Sequence, residues 1–503
     1  MSDGTTERLK DPSTLSFEQP RIRRAILASY WAIVLLAVPL WWSTTSIERL
    51  ALPLSRIDSQ SRKEVHFPIR LRLQADASAV DINALAGYIE SALQSVGGIE
   101  QPTNLPRLKK HPDGEGDYTI DIVNDADFPI VESRRLSVPS PLAGSAPGIV
   151  SQLLSPYSSL RTSRRCSGHC EHLVAKYAPR YRLSFTLLNE DATSGKAIAG
   201  WDIQRAISRH MSPVLRRMSQ LHNFTIESQV HFHSPLAFDP VLVSDGEGTA
   251  HGLVEDDLKV FVNSAEWSLA SSVSNDPVLH FLLFIPSVRH TPMRILHPDV
   301  GISASNAFVL PQWGGIVIRN LPLGSPDIHS FTADDLDASF IAFRKQLLTL
   351  LGVSELPPGL PLSDLSSPLT DWQLDTLYRQ RAIENLAGSQ ETLKSIAKLV
   401  DQIPNMPVGQ DVRGDIQDSL SALEKASALQ ISPILALQYS AKALTYSSRA
   451  FFNPGMLALL YFPAEHTYAV YTPLFAPMLV PLMATAIREG SAWMKARKAS
   501  RKT

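Results

Sequence analysis

The chain is short of cysteine, with only Cys166 and Cys170 in 503 residues. Excess charge is also missing: the net charge is −2, charged residues make up 19%, and mean hydropathy is near zero. This balance argues against nucleic acid or a broad anionic surface as a partner and favours a globular protein over a channel. Catalytic signatures are absent too. There is no H-E-x-x-H, no G-x-S-x-G elbow, no phosphate-cradling G-x-x-x-x-G-K-[ST] loop and no G-x-G-x-x-G opening a helix after a strand. Triads assemble in space rather than in sequence, so an enzyme is made less expected without being excluded. No cofactor and no resident metal is expected.

Two long runs that are both apolar and uncharged sit near the ends. Residues 25–45 and 467–487 contain no Asp, Glu, Lys, Arg or His. About 20 apolar residues at about 1.5 Å rise cover a hydrocarbon core of about 30 Å, so both are long enough to span a membrane. Arg21, Arg23 and Arg24 precede the first; Arg488, Lys495, Arg497, Lys498, Arg501 and Lys502 follow the second. The bias of positive residues toward the cytoplasm assigns both ends to that side and the middle to the other. Trp41 and Trp42, and Tyr468 and Tyr471, mark the far interface. A cleaved signal peptide is the alternative for the first run, but its core exceeds the usual length of about 7–15 residues and bulky Trp occupies its exit. A buried core helix is the alternative for the second, against which stand its terminal position and basic tail.

Two marks place the middle in an oxidising, glycosylating lumen. Asn223-Phe224-Thr225 is the sole N-x-S/T sequon, making Asn223 the expected glycosylation site. Cys166 and Cys170 lie four apart and favour a small disulfide there. Free thiols, or a metal held by Cys166, His169, Cys170 and His172, are the other readings; four ligands crowded on one short loop reach tetrahedral geometry poorly.

Between the ends, the patterning predicts an α/β or α+β lumenal domain with a helical C-terminal layer. Period-two alternation predicts strands at 65–73, 118–123, 181–188, 224–232, 258–262, 278–285, 307–309 and 315–318. Helical spacing predicts helices at 80–96 and 201–221, then at 331–351, 371–403, 412–428 and 431–446. The expected organisation is a cytoplasmic segment 1–24, membrane helix 25–45, lumenal domain 46–466, membrane helix 467–487 and cytoplasmic basic tail 488–503. Within the lumenal part, 46–330 is mixed α/β, 331–450 helical and 451–466 a membrane approach.

Weaker constellations remain. His231 and His233 would share one strand face and could bind metal, although a polar outer face explains them more simply. Asp245, Glu247, His251 and Glu255 to Asp257 form an acidic stretch that misses calcium-loop spacing and reads better as a hairpin connection. Trp313, beside Gly314 and Gly315, reads as close backbone packing or as a partner contact. Pro473, Pro477 and Pro481 recur every four residues along one face of the second membrane helix. Each removes an amide donor and frees a carbonyl, which is costly in lipid unless another group satisfies it, so this face is expected to pack on other membrane helices or border a polar lipid cavity.

Four blocks carry a resemblance. They are Arg23-Arg24-Ala25 through Pro39 to Thr45; Phe308-Val309-Leu310-Pro311-Gln312-Trp313-Gly314-Gly315 with Asn320; Arg379-Gln380-Arg381-Ala382-Ile383-Glu384-Asn385-Leu386 continuing to Asp401-Gln402-Ile403-Pro404-Asn405-Met406; and Tyr461-Phe462-Pro463 to Pro473-Leu474-Phe475-Ala476-Pro477. In this order they resemble the PIG-S family, a subunit of the GPI transamidase complex. The resemblance implies an endoplasmic reticulum membrane protein with two membrane helices and a large lumenal domain. It implies as partners the other transamidase subunits, including a caspase-like catalytic one, together with membrane lipid; the GPI and the precursor protein that the complex joins are further candidates. Neither cysteine here sits in the context of a caspase nucleophile. The expectation is a non-catalytic structural subunit. A membrane-tethered lumenal hydrolase with a scattered triad, or an independent lumenal adaptor, is the alternative.

Overall fold

A computed structural model describes residues 20–45, 49–63, 67, 69–75, 81–96, 107–108, 118–124, 127–154, 174–244, 248–261, 275–297, 301–322, 328–360, 368–403, 406–427, 432–457 and 464–500. The chain divides into two compact units. One comprises Ser59–Glu391 and Ser419–Thr445; the other comprises Met1–Asp58, Thr392–Asp418 and Tyr446–Thr503.

The larger unit begins with a five-stranded sheet of β1 (Arg70–Ala75), β2 (Arg107–Leu108), β3 (Tyr118–Val123), β4 (Ile130–Glu132) and β5 (Arg135–Pro139), in the order β2-β1-β3-β5-β4. All neighbours are parallel except β4, which runs antiparallel at one edge. Strict alternation places Tyr118, Ile120 and Ile122 in the core. The helix Ile82–Val96 supplies Leu85, Ile89 and Leu93, spaced by four, to the same core. It starts where the Asp81 carboxylate accepts the amides of Asn83 and Ala84, at 2.9 and 3.3 Å. Strand β1 begins five residues later than the alternation suggests; Phe67 and Ile69 are nonetheless buried ahead of it.

The remaining strands are β6 (Arg180–Asn189), β7 (Ala197–Trp201), β8 (Asn223–His231), β9 (Val241–Ser244), β10 (Thr249–Leu253), β11 (Val278–Ile285), β12 (Met293–His297), β13 (Gly301–Ile302), β14 (Ala307–Leu310), β15 (Gly314–Ile318) and β16 (Ile328–Phe331). The central sheet has the order β14-β15-β11-β6-β8, parallel apart from the edge strand β14. One face carries Leu183, Phe185, Leu187, Phe281 and Leu283 against helix Asp337–Leu350 and the helical run from Ile203 to Arg217. Phe185 stacks on Phe281 and Phe340 with ring centroids 5.2 and 5.6 Å apart. Within the helical run, residues 207–211 form a wide π-turn just ahead of Pro213, whose missing amide breaks the regular ladder.

The opposite face carries Leu188, Leu282, Phe284, Ile316 and Ile318, packed with Phe261, Met293 and Ile295. Here the expected strand at 258–262 is overturned: Glu255–Val260 is a helix. The Asp257 carboxylate accepts the Val254 amide at 3.1 Å and acidic residues occupy the first turn, where the helix dipole favours them. Leu258 and Phe261, three apart, both turn into the core, a spacing that an apolar alternation conceals.

Helix Asp371–Gln402 carries residues of both units. Its start is a capping box: Thr370 Oγ1 accepts the Gln373 amide at 3.2 Å and Gln373 Oε1 accepts the Thr370 amide at 3.0 Å. Trp372, fully buried, lies 4.3 Å from the Tyr118 ring. Asp375 accepts Tyr118 Oη at 2.8 Å and both Nε and Nη2 of Arg134, at 2.8 and 3.2 Å. Arg379 stands over the Tyr118 ring at 5.4 Å. Arg381, also buried, donates from Nη2 to the carbonyls of Ala175 and Leu351, at 3.0 and 3.1 Å. The helices Gln410–Ala426 and Pro433–Phe451 complete the C-terminal layer, joined where Ser419 Oγ donates to the Ala443 carbonyl at 2.9 Å.

In the smaller unit, helix Pro20–Thr45 and helix Ala464–Ser500 meet at an ion pair: Glu489 accepts from Arg23 and, at 3.1 Å, from Arg24. Arg49 Nη2 donates to the Val400 carbonyl at 2.6 Å, and the Leu50 amide donates to the Val408 carbonyl at 3.0 Å. Among the described residues, one stretch, Arg21–Leu40, meets the test of a helix long and apolar enough to cross a membrane. Its Leu35 and Leu36 are 66% and 77% exposed. The helix Ala464–Ser500 runs unbroken through Pro473, Pro477 and Pro481. Of the 451–466 segment, Pro454–Leu457 is a short helix, and 458–463 lies outside the described residues.

Replacing Asp375 with Ala is expected to cost about 2–3 kcal/mol, because charge-assisted bonds from Arg134 and a buried tyrosine hydroxyl lose their acceptor together. Thermal denaturation of the full-length protein in detergent reads this out. A midpoint equal to that of the parent would remove Asp375 from the account of the fold.

Candidate functional site

Open parallel sheets bind ligands beyond the carboxyl ends of their strands, where strand order reverses. In the central sheet the chain goes from β6 to β8 on one side, returns to β11 on the other and continues to β15, so the reversal lies between β6 and β11. The residues just past those strand ends are Glu190 and Ser287. Glu190 is buried, 5% exposed; Oε2 accepts the Ser287 amide at 2.7 Å and Oε1 meets Nδ1 of His290. This contact turns Nδ1 of His290 toward the carboxylate and Nε2 away from it. The His251 ring, from β10, stands edge-on to His290 with centroids 5.3 Å apart, and burial together with the neighbouring imidazole holds its pKa below the ordinary value. Among the described residues the imidazole of His290 bonds to Glu190 and to no hydroxyl or thiol, so this pair lacks an activated nucleophile. It can exchange a proton or hold a hydrogen-bonding ligand.

Local sequence reading missed this trio, which spans positions 190 to 290. The one signal available was an acidic pair, Glu190-Asp191, closing a strand of which every residue but the first is buried.

Trp313 sits, half-buried, at the turn between β14 and β15 and stacks on His280 at 4.7 Å. Burial and, secondarily, the Arg182 guanidinium push the His280 pKa down to about 4, against a smaller opposing pull from Glu227. The adjoining glycines are explained by close approach. A Cβ on Gly314 would come 1.9 Å from the His280 carbonyl oxygen, and one on Gly315 would come 2.1 Å from Gln346 Oε1. Asn320 of the same block grips the Met293 backbone at both ends, accepting its amide at 2.8 Å and donating to its carbonyl at 2.9 Å.

The other expected site residues are not brought together. Asn223 is exposed at the start of edge strand β8, and Thr225 is exposed with it. His231 is half-buried on β8, while His233 lies beyond that strand in a backbone bridge with Asp191. Among the described residues no three His, Cys, Asp or Glu side chains could hold a metal ion. Of the acidic stretch, 245–247 lies outside the described residues, β9 and β10 pair antiparallel on either side of it, and 255–257 opens a helix. Cys166, His169, Cys170 and His172 lie outside the described residues. Pro473, Pro477 and Pro481 all lie within the helix Ala464–Ser500.

Fold and site define a class: a mixed α/β protein with a helical C-terminal region and an apolar N-terminal helix, whose polar clusters are engaged in holding its own backbone. The family model described as phosphatidylinositol-glycan biosynthesis class S protein matches residues 28–135 and 148–496, and the chain belongs to this PIG-S family. It is 28% identical to the GPI-anchor transamidase component PIGS of Rattus norvegicus, over 94% of this chain and 95% of that protein. It is likewise 28% identical to the GPI transamidase component PIG-S homolog of Schizosaccharomyces pombe, over 97% of this chain and 87% of the relative. The GPI transamidase component GPI17 of Saccharomyces cerevisiae is 26% identical over 88% of this chain and 87% of its own length.

Two buried histidines make stability depend on pH. His222 donates from Nδ1 to the Ala178 carbonyl, and burial depresses its pKa to about 4, as for His280. Both are neutral in the fold and ionise more easily when unfolded, at about 6.5. Their contribution is therefore complete above about pH 6.5 and lost as the pH falls toward about 4, by on the order of 3 kcal/mol for His222. Denaturation midpoints between pH 7.5 and 4.5 should fall, and less steeply in His222→Phe. An identical slope in that variant would refute the assignment.

Proposed function

We propose that this protein is a non-catalytic structural subunit of a GPI transamidase complex in the endoplasmic reticulum membrane, organising an assembly that attaches preassembled GPI anchors to the C-termini of precursor proteins. The observation that carries the reading is a family match over nearly the whole chain to relatives named as components of that transamidase. The site chemistry supports it, since among the described residues His290 bonds to Glu190 and to no hydroxyl or thiol. Catalysis then belongs to a separate caspase-like subunit, the partner implied by the family resemblance.

In this reading both terminal helices cross the membrane, with both ends cytoplasmic and residues 46–466 lumenal. Arg23 and Arg24 meeting Glu489 supports it by joining the two basic flanks on one side. The face bearing Pro473, Pro477 and Pro481 packs on other membrane helices of the complex, and the exposed edge of Trp313 is a lumenal contact. Membrane lipid surrounds the helices; GPI and precursor are further candidate contacts. Purified in mild detergent, the tagged protein should bring down a cysteine protease and other membrane subunits. Its depletion should reduce surface display of a GPI-anchored reporter. A variant with all three prolines replaced by Leu should lose part of the co-purifying set; full recovery would reject the packing role. A solitary chain with hydrolytic activity abolished by Glu190→Gln would replace this reading with a lumenal hydrolase.

The lumenal placement also proposes a glycan on Asn223, supported by the exposure of Asn223 and Thr225, and a Cys166–Cys170 disulfide. Endoglycosidase should increase gel mobility in the parent and leave Asn223→Gln unchanged, and thiol alkylation should require reductant. Unmodified Asn223 with two freely alkylated thiols would argue against a lumenal middle.

A further inference from the structure

We infer that the cytoplasmic end of the C-terminal helix is a binding surface for anionic phospholipid headgroups, a proposal that rests on the two-span reading above. The helix Ala464–Ser500 does not stop where the apolar run ends at residue 487; it continues for three more turns carrying Arg488, Glu489, Trp493, Met494, Lys495, Arg497 and Lys498. At about 100° per residue, these side chains separate into two stripes.

Glu489, Trp493 and Arg497 recur every four residues on one side. Glu489 is the acceptor for Arg23 and Arg24, and the Arg497 guanidinium lies over the Trp493 ring at 5.1 Å. On this stripe Glu489 joins the two helices, and Arg497 is engaged with Trp493. The single acidic residue beyond the span is thus paired with cations already.

Arg488, Lys495 and Lys498, spaced by seven and three, lie within an arc of about 80° on another side. All three are exposed. The surface they form is cationic, lies within about 15 Å of the end of the apolar run along the axis, and presents long stems that can reach back to the headgroup layer. Met494, 57% exposed, places apolar surface next to it. Several lysines and arginines immediately cytoplasmic of a membrane helix attract anionic lipid, an attraction that decays within a Debye length. Charge complementarity therefore selects the anionic lipids of the leaflet in which the helix already sits.

The test uses the full-length protein reconstituted in phosphatidylcholine bilayers with a trace of spin-labelled phosphatidylserine or spin-labelled phosphatidylcholine. The motionally restricted fraction gives the relative association of each with the protein. Phosphatidylserine should associate several-fold more strongly at low salt and approach parity at 1 M salt, where the screening length is about 3 Å. The combined variant Arg488→Gln, Lys495→Gln, Lys498→Gln, with the Arg23, Arg24 and Glu489 cluster intact, should approach parity at low salt as well. Equal association of both lipids with the parent, or undiminished preference in the variant, would overturn the proposal. A tag after Thr503 tests the topology separately in sealed microsomes: protection from protease would overturn the two-span reading, whereas an accessible tag with no lipid preference overturns the lipid proposal alone.

Discussion

Asp375 gives helix Asp371–Gln402 its seat. Its carboxylate, buried in the helix's second turn, accepts the Tyr118 hydroxyl and two guanidinium hydrogens of Arg134. Tyr118 opens β3, and Arg134 precedes β5, so one acid ties two strands of the first sheet to the start of the long helix. Trp372 and Arg379 then close on the Tyr118 ring from either side along the helix. Two turns on, Arg381 fixes the helix to the central layer through the carbonyls of Ala175 and Leu351, backbone groups that would otherwise be buried without donors. The burial of Tyr118 raises its pKa strongly, so the hydroxyl remains a donor across the physiological range.

A second constraint is steric. Strand β15 passes so close to β11 and to Gln346 that no side chain fits at 314 or 315, and Gln346 Nε2 uses the space to donate to the carbonyls of Phe308 and Ile316, at 2.9 and 3.0 Å. The block running from Phe308 to Asn320, together with Arg379 to Asn385, carries much of the family resemblance. In the structure these residues engage other parts of the chain: Asn320 clamps the Met293 backbone, Arg381 clamps two carbonyls, and Asn385 Nδ2 donates to Ser440 Oγ at 3.4 Å.

The place where chemistry would be expected on such a sheet holds a buried carboxylate and two imidazoles, and among the described residues no hydroxyl or thiol is bonded to His290. At the opposite extreme of polarity, the terminal helices expose apolar side chains along their length and meet through charges at Glu489. Polar interior groups brace the chain's own architecture, while the terminal helices leave apolar side chains uncovered.

The sequence by itself determined what depends on neighbours along the chain. Apolar runs at 25–45 and 467–487 exceed any local need. Strand-like runs located 118–123 and 278–285 to the residue, and period 3.6 located the long helix within one residue of its end, because side-chain burial follows the geometry of each element. The same reasoning failed at 258–262, where alternating Leu258, Val260 and Val262 imitate a strand while an Asp257 cap and the Leu258 to Phe261 spacing make a helix. Tertiary structure alone decided which distant polar groups would meet. Glu190 with His290 and His251, Asp375 with Tyr118 and Arg134, and Glu489 with Arg23 and Arg24 are each formed across long stretches of chain, and no local period encodes a contact whose partners are joined only when the sheets and helices close.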